Sequence, residues 1–144
     1  MKIEIKEGFE SIEVVIQCPE ITNEIRKMES LLYGLEQRLS CSKDGKMHLV
    51  SKHDILYFES VDKRCFVYTQ NNIYETGLRL YEIEEMLIDT GFIRNGKSQI
   101  LNIAKIKSLC PDFGGRIEVI MENGEMLITS RQYAKLLKER LGIR

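Results

Sequence analysis

The chain has 144 residues, 43% hydrophobic and 30% charged, with a formal net charge of −1. That length suits one domain with a short appendage and buries a core without disulfides or metal. No apolar run approaches the roughly 18 residues of a membrane span, and Met1–Lys6 alternates apolar with charged residues where a signal peptide would be continuously apolar, so a cytoplasmic protein is expected.

Lys2–Lys6 and Ile12–Ile16 read as strands; the first alternates and the second is β-branched. Residues 20–40 read as a helix, because Ile21, Ile25, Met28, Leu32, Leu35 and Leu39 repeat at 4-3-4-3-4 and lie on one face. The stripe fits a helix on its own domain's sheet or one that supports a dimer. The polar turn Ser42–Lys46 follows, and the boundary of an N-terminal extension, 1–40, with a main domain, 41–144, is expected near it.

Short strands come next: Met47–Val50, the continuously apolar Ile55–Phe58, Cys65–Thr69 and Ile73–Thr76. Leu80, Ile83 and Leu87 give a helical stripe, with Gly91 as its C′ residue. Gln99–Asn102 and Ile106–Leu109 are further strands. Arg116–Met121 and Met126–Thr129 flank Asn123-Gly124, the strongest hairpin signal in the chain. The last element is a helix, Gln132–Leu141, with Tyr133, Leu136, Leu137 and Leu141 inward and Gly142 at its end. Many short strands with hairpin turns and a few helices make an α+β domain dominated by antiparallel strands, not a doubly wound sheet.

Charge is unevenly spread. Residues 1–40 hold five basic and eight acidic side chains, whereas 41–144 hold sixteen and fourteen. Between Thr90 and Pro111 stand Arg94, Lys97, Lys105 and Lys107 with no acid, which suits a phosphate-facing surface or a solvated loop.

Enzyme chemistry finds no footing. The phosphate-binding glycine loops, the Gly-x-Ser-x-Gly elbow and His-Glu-x-x-His are missing. Asp112-Phe113-Gly114 is a kinase tripeptide without any other kinase motif, and reads as a loop. Cys18, Cys41, Cys65 and Cys110 are widely spaced, and His48 and His53 form no ligand pair, so reduced thiols and neither metal nor cofactor are expected.

Four segments, in order over roughly 100 residues, resemble the LytTR (LytR/AlgR-type) DNA-binding domain: Ile55–Asp62, Tyr74–Glu84, Phe92–Asn102, and Asn123-Gly124 with Ser130–Lys138. The resemblance implies an elongated β-rich domain of small antiparallel sheets with flanking helices. Loops, not a recognition helix, would enter the major groove. It places candidate DNA contacts at Lys63 or Arg64, at Arg94, Asn95, Lys97 and Ser98, and at Arg131. Arg and Lys can donate to guanine O6 and N7, while hydroxyls and backbone N–H groups fix register on phosphates. Arg94 also suits a structural partner for an acid, and Asn102 reads as structural. Arg131 sits where the helix dipole disfavours a cation, which points to a ligand.

The implied protein is a transcription regulator of the short form without a receiver domain, reading paired short repeats as a homodimer, at least on DNA. A small membrane protein is a further partner the resemblance suggests; no small-molecule substrate is expected. The competing reading is a protein-interaction module that keeps this fold and binds a regulatory partner instead of DNA.

Overall fold

A computed structural model describes residues 1–36, 38–87 and 90–143, the side chains of 33–36 excepted. The chain divides into two units, Met1–Tyr33 and Gly34–Arg144.

Helix α1 (Asn23–Glu36) begins in the first unit, its first turn capped by the Thr22 hydroxyl accepting from the Ile25 N–H at 3.4 Å. The expected strands at 2–6 and 12–16 do not form: both segments lie outside helix and ladder. Their alternation supplies the side-chain period of a strand, but a strand also needs a partner to take its backbone hydrogen bonds. Ile3, Ile5, Ile12 and Val14 are left exposed.

The helix expected to run to residue 40 stops at Glu36, and β1 (Arg38–Lys43) begins at once. Leu39, the last member of the apolar stripe, belongs to this strand and pairs with Val50 of β2 (Lys46–Ser51). From residue 38 the buried positions fall at every second residue, Leu39 and Cys41, so the period has changed from helical to extended. Leu35 lies outside the described side chains. The polar turn expected at the domain boundary is instead the tip of the β1–β2 hairpin, with Asp44 and Gly45 at φ 52° and 75°.

The remaining strands are β3 (Ile55–Val61), β4 (Arg64–Thr69), β5 (Ile73–Thr76), β6 (Phe92–Arg94), β7 (Gln99–Asn102), β8 (Ile106–Pro111), β9 (Ile117–Met121) and β10 (Met126–Thr129). They form a seven-stranded sheet, ordered β2-β1-β5-β4-β3-β7-β6, and a three-stranded sheet, β10-β9-β8. Every pairing is antiparallel, and the α+β reading holds.

Two cores form, and β3 serves both. Ile55 and Phe58 join Val67, Cys65 and Ile100 beneath helix α2 (Leu80–Met86), which contributes Leu80 and Ile83. Leu56 and Tyr57 pack with Leu101, Val119, Met121 and Leu127 beneath helix α3 (Arg131–Leu141), which contributes Ala134 and Leu137. A register shift between Ile55 and Tyr57 breaks simple alternation. This is why Ile55–Phe58 is continuously apolar: a strand covered on both faces has no polar side to show.

Two local expectations are corrected. Leu136 of α3 points outward, because Ala134, Leu137 and Leu141 occupy the face that Tyr133 borders. Gly91 does not close α2, which ends at Met86 with Leu87 as cap; its positive φ instead turns the chain so that its carbonyl accepts from the Ile103 N–H. Gly142 does end α3, at φ 70°. Asn102 is structural as expected: its Nδ2 donates to the Ile55 carbonyl at 2.9 Å and its Oδ1 accepts from the Ala104 N–H.

Candidate nucleic-acid interface

Three loops carrying the expected contact residues meet at the end of β3 remote from Ile55. The β3–β4 connection is a two-residue turn, Asp62-Lys63, with φ of 50° and 66°. These are the left-handed values of a type I′ hairpin. For Lys63 the conformation costs roughly 1–2 kcal/mol relative to glycine. The side chain it holds out is exposed.

The β6–β7 connection, residues 95–98, lies beside this hairpin because β3 and β7 are paired; the Ser60 N–H donates to the Ser98 carbonyl at 2.8 Å. The start of α3 lies beside the same connection, with the Ser130 N–H donating to the Asn95 carbonyl at 2.9 Å.

Asn95 is the hub of this arrangement. Its backbone holds α3, its Nδ2 donates to Gln99 Oε1 at 3.0 Å, and Gln99 Nε2 donates to Glu59 Oε2 at 3.0 Å. The side chain is wholly buried, so the expectation that Asn95 touches DNA is corrected: it positions the loops that could.

Arg94 is likewise committed. Its guanidinium pairs with Glu84 of α2 at 2.8 Å, donates to the Gly96 carbonyl at 2.9 Å and reaches the Lys97 carbonyl. It thus fixes the path of Gly96-Lys97 and leaves the Lys97 side chain outward. Lys97 and Ser98 are exposed.

Arg64 is also engaged. It forms a two-pronged pair with Glu75 of β5, at 2.8 and 2.7 Å, and lies over the Phe66 ring. The two hydrogen bonds from Arg64 hold the Glu75 carboxyl below its ordinary range. A depressed carboxyl pKa contributes stability that is present at neutral pH and lost on acidification through the depressed value. Following Glu75 by NMR during acid titration is expected to show that low midpoint in the parent and an ordinary carboxylate midpoint in Arg64→Ala. A midpoint unmoved by the substitution would contradict the pairing.

Arg131 opens α3. Its N-cap, Ser130, makes no side-chain capping bond, and the Arg131 stem lies against Gly115. Among the described residues no ion pair involves Lys63, Lys97 or Arg131. Of the seven candidates, Lys63, Lys97, Ser98 and Arg131 are exposed and make no ion pair among the described residues, Arg64 is exposed but tied to Glu75, and Arg94 and Asn95 hold the loops in place. Sequence reasoning missed Arg79, before α2, whose guanidinium reaches the Lys63 carbonyl at 3.5 Å. Its place just ahead of the α2 stripe marked it only as a helix start.

The acids of this end are largely spoken for: Glu59 holds Gln99, Glu75 holds Arg64 and Glu84 holds Arg94, while Asp62 remains exposed at the hairpin tip. Cys41 and Cys65 are buried, and burial pushes both thiols up to about 11, so neither is an anion at neutral pH. No described helix is long and apolar enough to cross a membrane.

Comparison with known proteins places these features in a family. The profile of the LytTr DNA-binding domain matches residues 45–142. Proteins from Staphylococcus aureus strains NCTC 8325 / PS 47 and COL, named as uncharacterized HTH-type transcriptional regulators, are each 29% identical over 130 residues, covering 89% of this chain and 88% of theirs. A solved LytTr DNA-binding domain from Bacillus cereus superposes with a TM-score of 0.70 at 27% identity, covering 74% of this chain and 98% of that one. The described helices of the present chain are separated from one another by strands, so a helix-turn-helix has no counterpart among them.

Proposed function

Because the chain belongs to the LytTR family of DNA-binding domains, we propose that it is a sequence-specific transcription regulator acting in the cytoplasm. In this reading Lys63, Lys97 and Arg131 face double-stranded DNA from three adjoining loops. The observation that carries it is the hydrogen-bonded link from the β3–β4 hairpin through Asn95 to the start of α3, which gathers on one end of the domain three cations that make no ion pair among the described residues.

The roles divide by chemistry. Arg131 has the planar donor fork that reads guanine, whereas Lys63 and Lys97 are point charges suited to phosphate as well as to O6 and N7. Ser98 offers a hydroxyl beside Lys97 for a phosphate oxygen. Of Lys63 and Arg64, the reading assigns the contact to Lys63, because Arg64 would have to give up two charge-assisted hydrogen bonds to Glu75 first. The test is selection from a pool of random duplexes, in which a paired short motif is expected; recovery of unrelated sequences would overturn the reading.

Paired repeats call for two copies, and the N-terminal unit suits their association. Ile21, Leu31, Leu32 and the apolar side chains of residues 3–15 are exposed in the single chain, and exposed apolar surface of this kind suits a contact with a second copy. Residues 1–40 then act as a dimerisation element, with Ile25 and Met28 on its seam. Changing both to Glu in the full chain is expected to halve the mass seen by sedimentation; an unchanged mass would overturn this assignment.

A further inference from the structure

The connection between β8 and β9 holds a side chain that the fold does not use. Phe113 is 87% exposed at the tip of the loop Asp112–Arg116. The neck of that loop is closed by three interactions: the Asp112 N–H donates to the Arg116 carbonyl at 2.9 Å, the Arg116 guanidinium pairs with Asp112 at 3.3 Å, and Arg116 Nε donates to the Phe113 carbonyl at 3.2 Å. Beyond the tip, Gly114 and Gly115 take φ of 72° and 82°, values that side-chain-bearing residues rarely adopt. The ring is therefore held out by a built loop and is not simply left over on a loose one.

The same loop is continuous with the DNA-facing end. A Cβ at position 115 would lie 3.0 and 3.2 Å from Cγ and Cδ of Arg131, so the glycine is the seat on which the Arg131 stem rests. The acid of the loop, Asp112, is paired with Arg116 and does not leave an unbalanced negative charge beside the ring. An uncharged aromatic ring has nothing to offer a phosphate. In the major groove, where Arg131 would donate to guanine, the apolar feature available to it is the C5 methyl of thymine.

We propose that Phe113 is a further specificity contact, packing its ring on a thymine methyl next to the base pair that Arg131 reads. The inference rests on the DNA-binding reading above. It also gives the Gly114-Gly115 pair a role: the first turns the chain back from the ring and the second lets Arg131 lie flat across it.

The experiment uses the full chain and a duplex selected by it, with affinity read by fluorescence anisotropy. Each thymine is replaced in turn by uracil, which removes only the methyl. One such replacement per repeat, beside the position whose preference Arg131→Ala loses, is expected to weaken the parent roughly three- to tenfold. Phe113→Ala is expected to show the same loss on the thymine duplex and no further loss on the uracil duplex, with an unchanged circular dichroism spectrum. Indifference of the parent to every uracil would overturn the contact, as would parent-like selection by Phe113→Ala while Arg131→Ala loses the motif. A change in solution mass without a change in DNA affinity would assign the ring to a contact between copies and overturn it too. If the parent binds no duplex at all, the regulator reading fails and this contact with it.

Discussion

Arg131→Ala is expected to remove most of the chain's sequence preference while leaving it folded. The side chain is exposed at the first position of α3, makes no ion pair among the described residues, and touches Gly115 only through its stem. Its loss therefore costs the isolated domain little, and removing a cation from a helix N-terminus is mildly favourable to that helix. On DNA the cost is different. A good guanidinium–guanine pair contributes about 1–3 kcal/mol of discrimination, and two copies on paired repeats would double that to about 2–6 kcal/mol. Anisotropy on the parent's preferred duplex is expected to show a drop of that size, with much less change on an unrelated duplex. Lys97→Ala is expected to weaken both duplexes more evenly and to flatten the salt dependence by about one counterion per copy. A uniform loss for Arg131→Ala, equal on both duplexes, would mean that it contacts phosphate and reads no base.

The largest effect on stability is expected at Phe58. It is fully buried in β3, an interior strand of the seven-stranded sheet, stands 5.7 Å centroid to centroid from the Phe92 ring, and lies in the core beneath α2. Phe58→Ala deletes the ring from a site walled by two sheet neighbours and a helix, which cannot collapse to fill it. About 3–5 kcal/mol of destabilisation is expected in urea unfolding, a large fraction of a domain's usual stability. Leu49→Ala on the edge strand β2 is the control: that side chain is 66% exposed and its removal is expected to change stability little. Equal effects at the two positions would contradict the placement of the core.

Much of this architecture is legible in the sequence where a local rule and the tertiary structure agree. Asn123-Gly124 joins β9 and β10 as its turn chemistry requires, and the apolar run Ile55–Phe58 is a strand buried on both faces. Legibility fails where the deciding partner is remote. Nothing local to Lys2–Lys6 says whether a neighbouring strand exists to complete its ladder. Nothing local to Leu39 distinguishes the last position of a helical stripe from the first buried position of β1, because one residue fits both periods. The candidate contact residues show the same limit. Arg94 and Lys97 are equally cationic on paper, and only the fold brings Glu84 against one and leaves the other in solvent. Asn95 looks like a polar loop residue, and becomes a buried hub only because β7 and the start of α3 close over it. The family resemblance pointed to three loops that the fold brings to one end of the domain; which of their side chains are left without a partner depends on residues up to tens of positions away in sequence.

The most direct test of the central claim is selection of bound duplexes from a random pool by the full chain, at two salt concentrations, in parallel with Lys97→Ala and Arg131→Ala. The parent is expected to enrich a paired short motif, Arg131→Ala to lose the preference at defined positions of each repeat, and Lys97→Ala to keep more of the motif at reduced affinity. Salt-sensitive binding with no enriched motif, or the same motif from all three proteins, would contradict it.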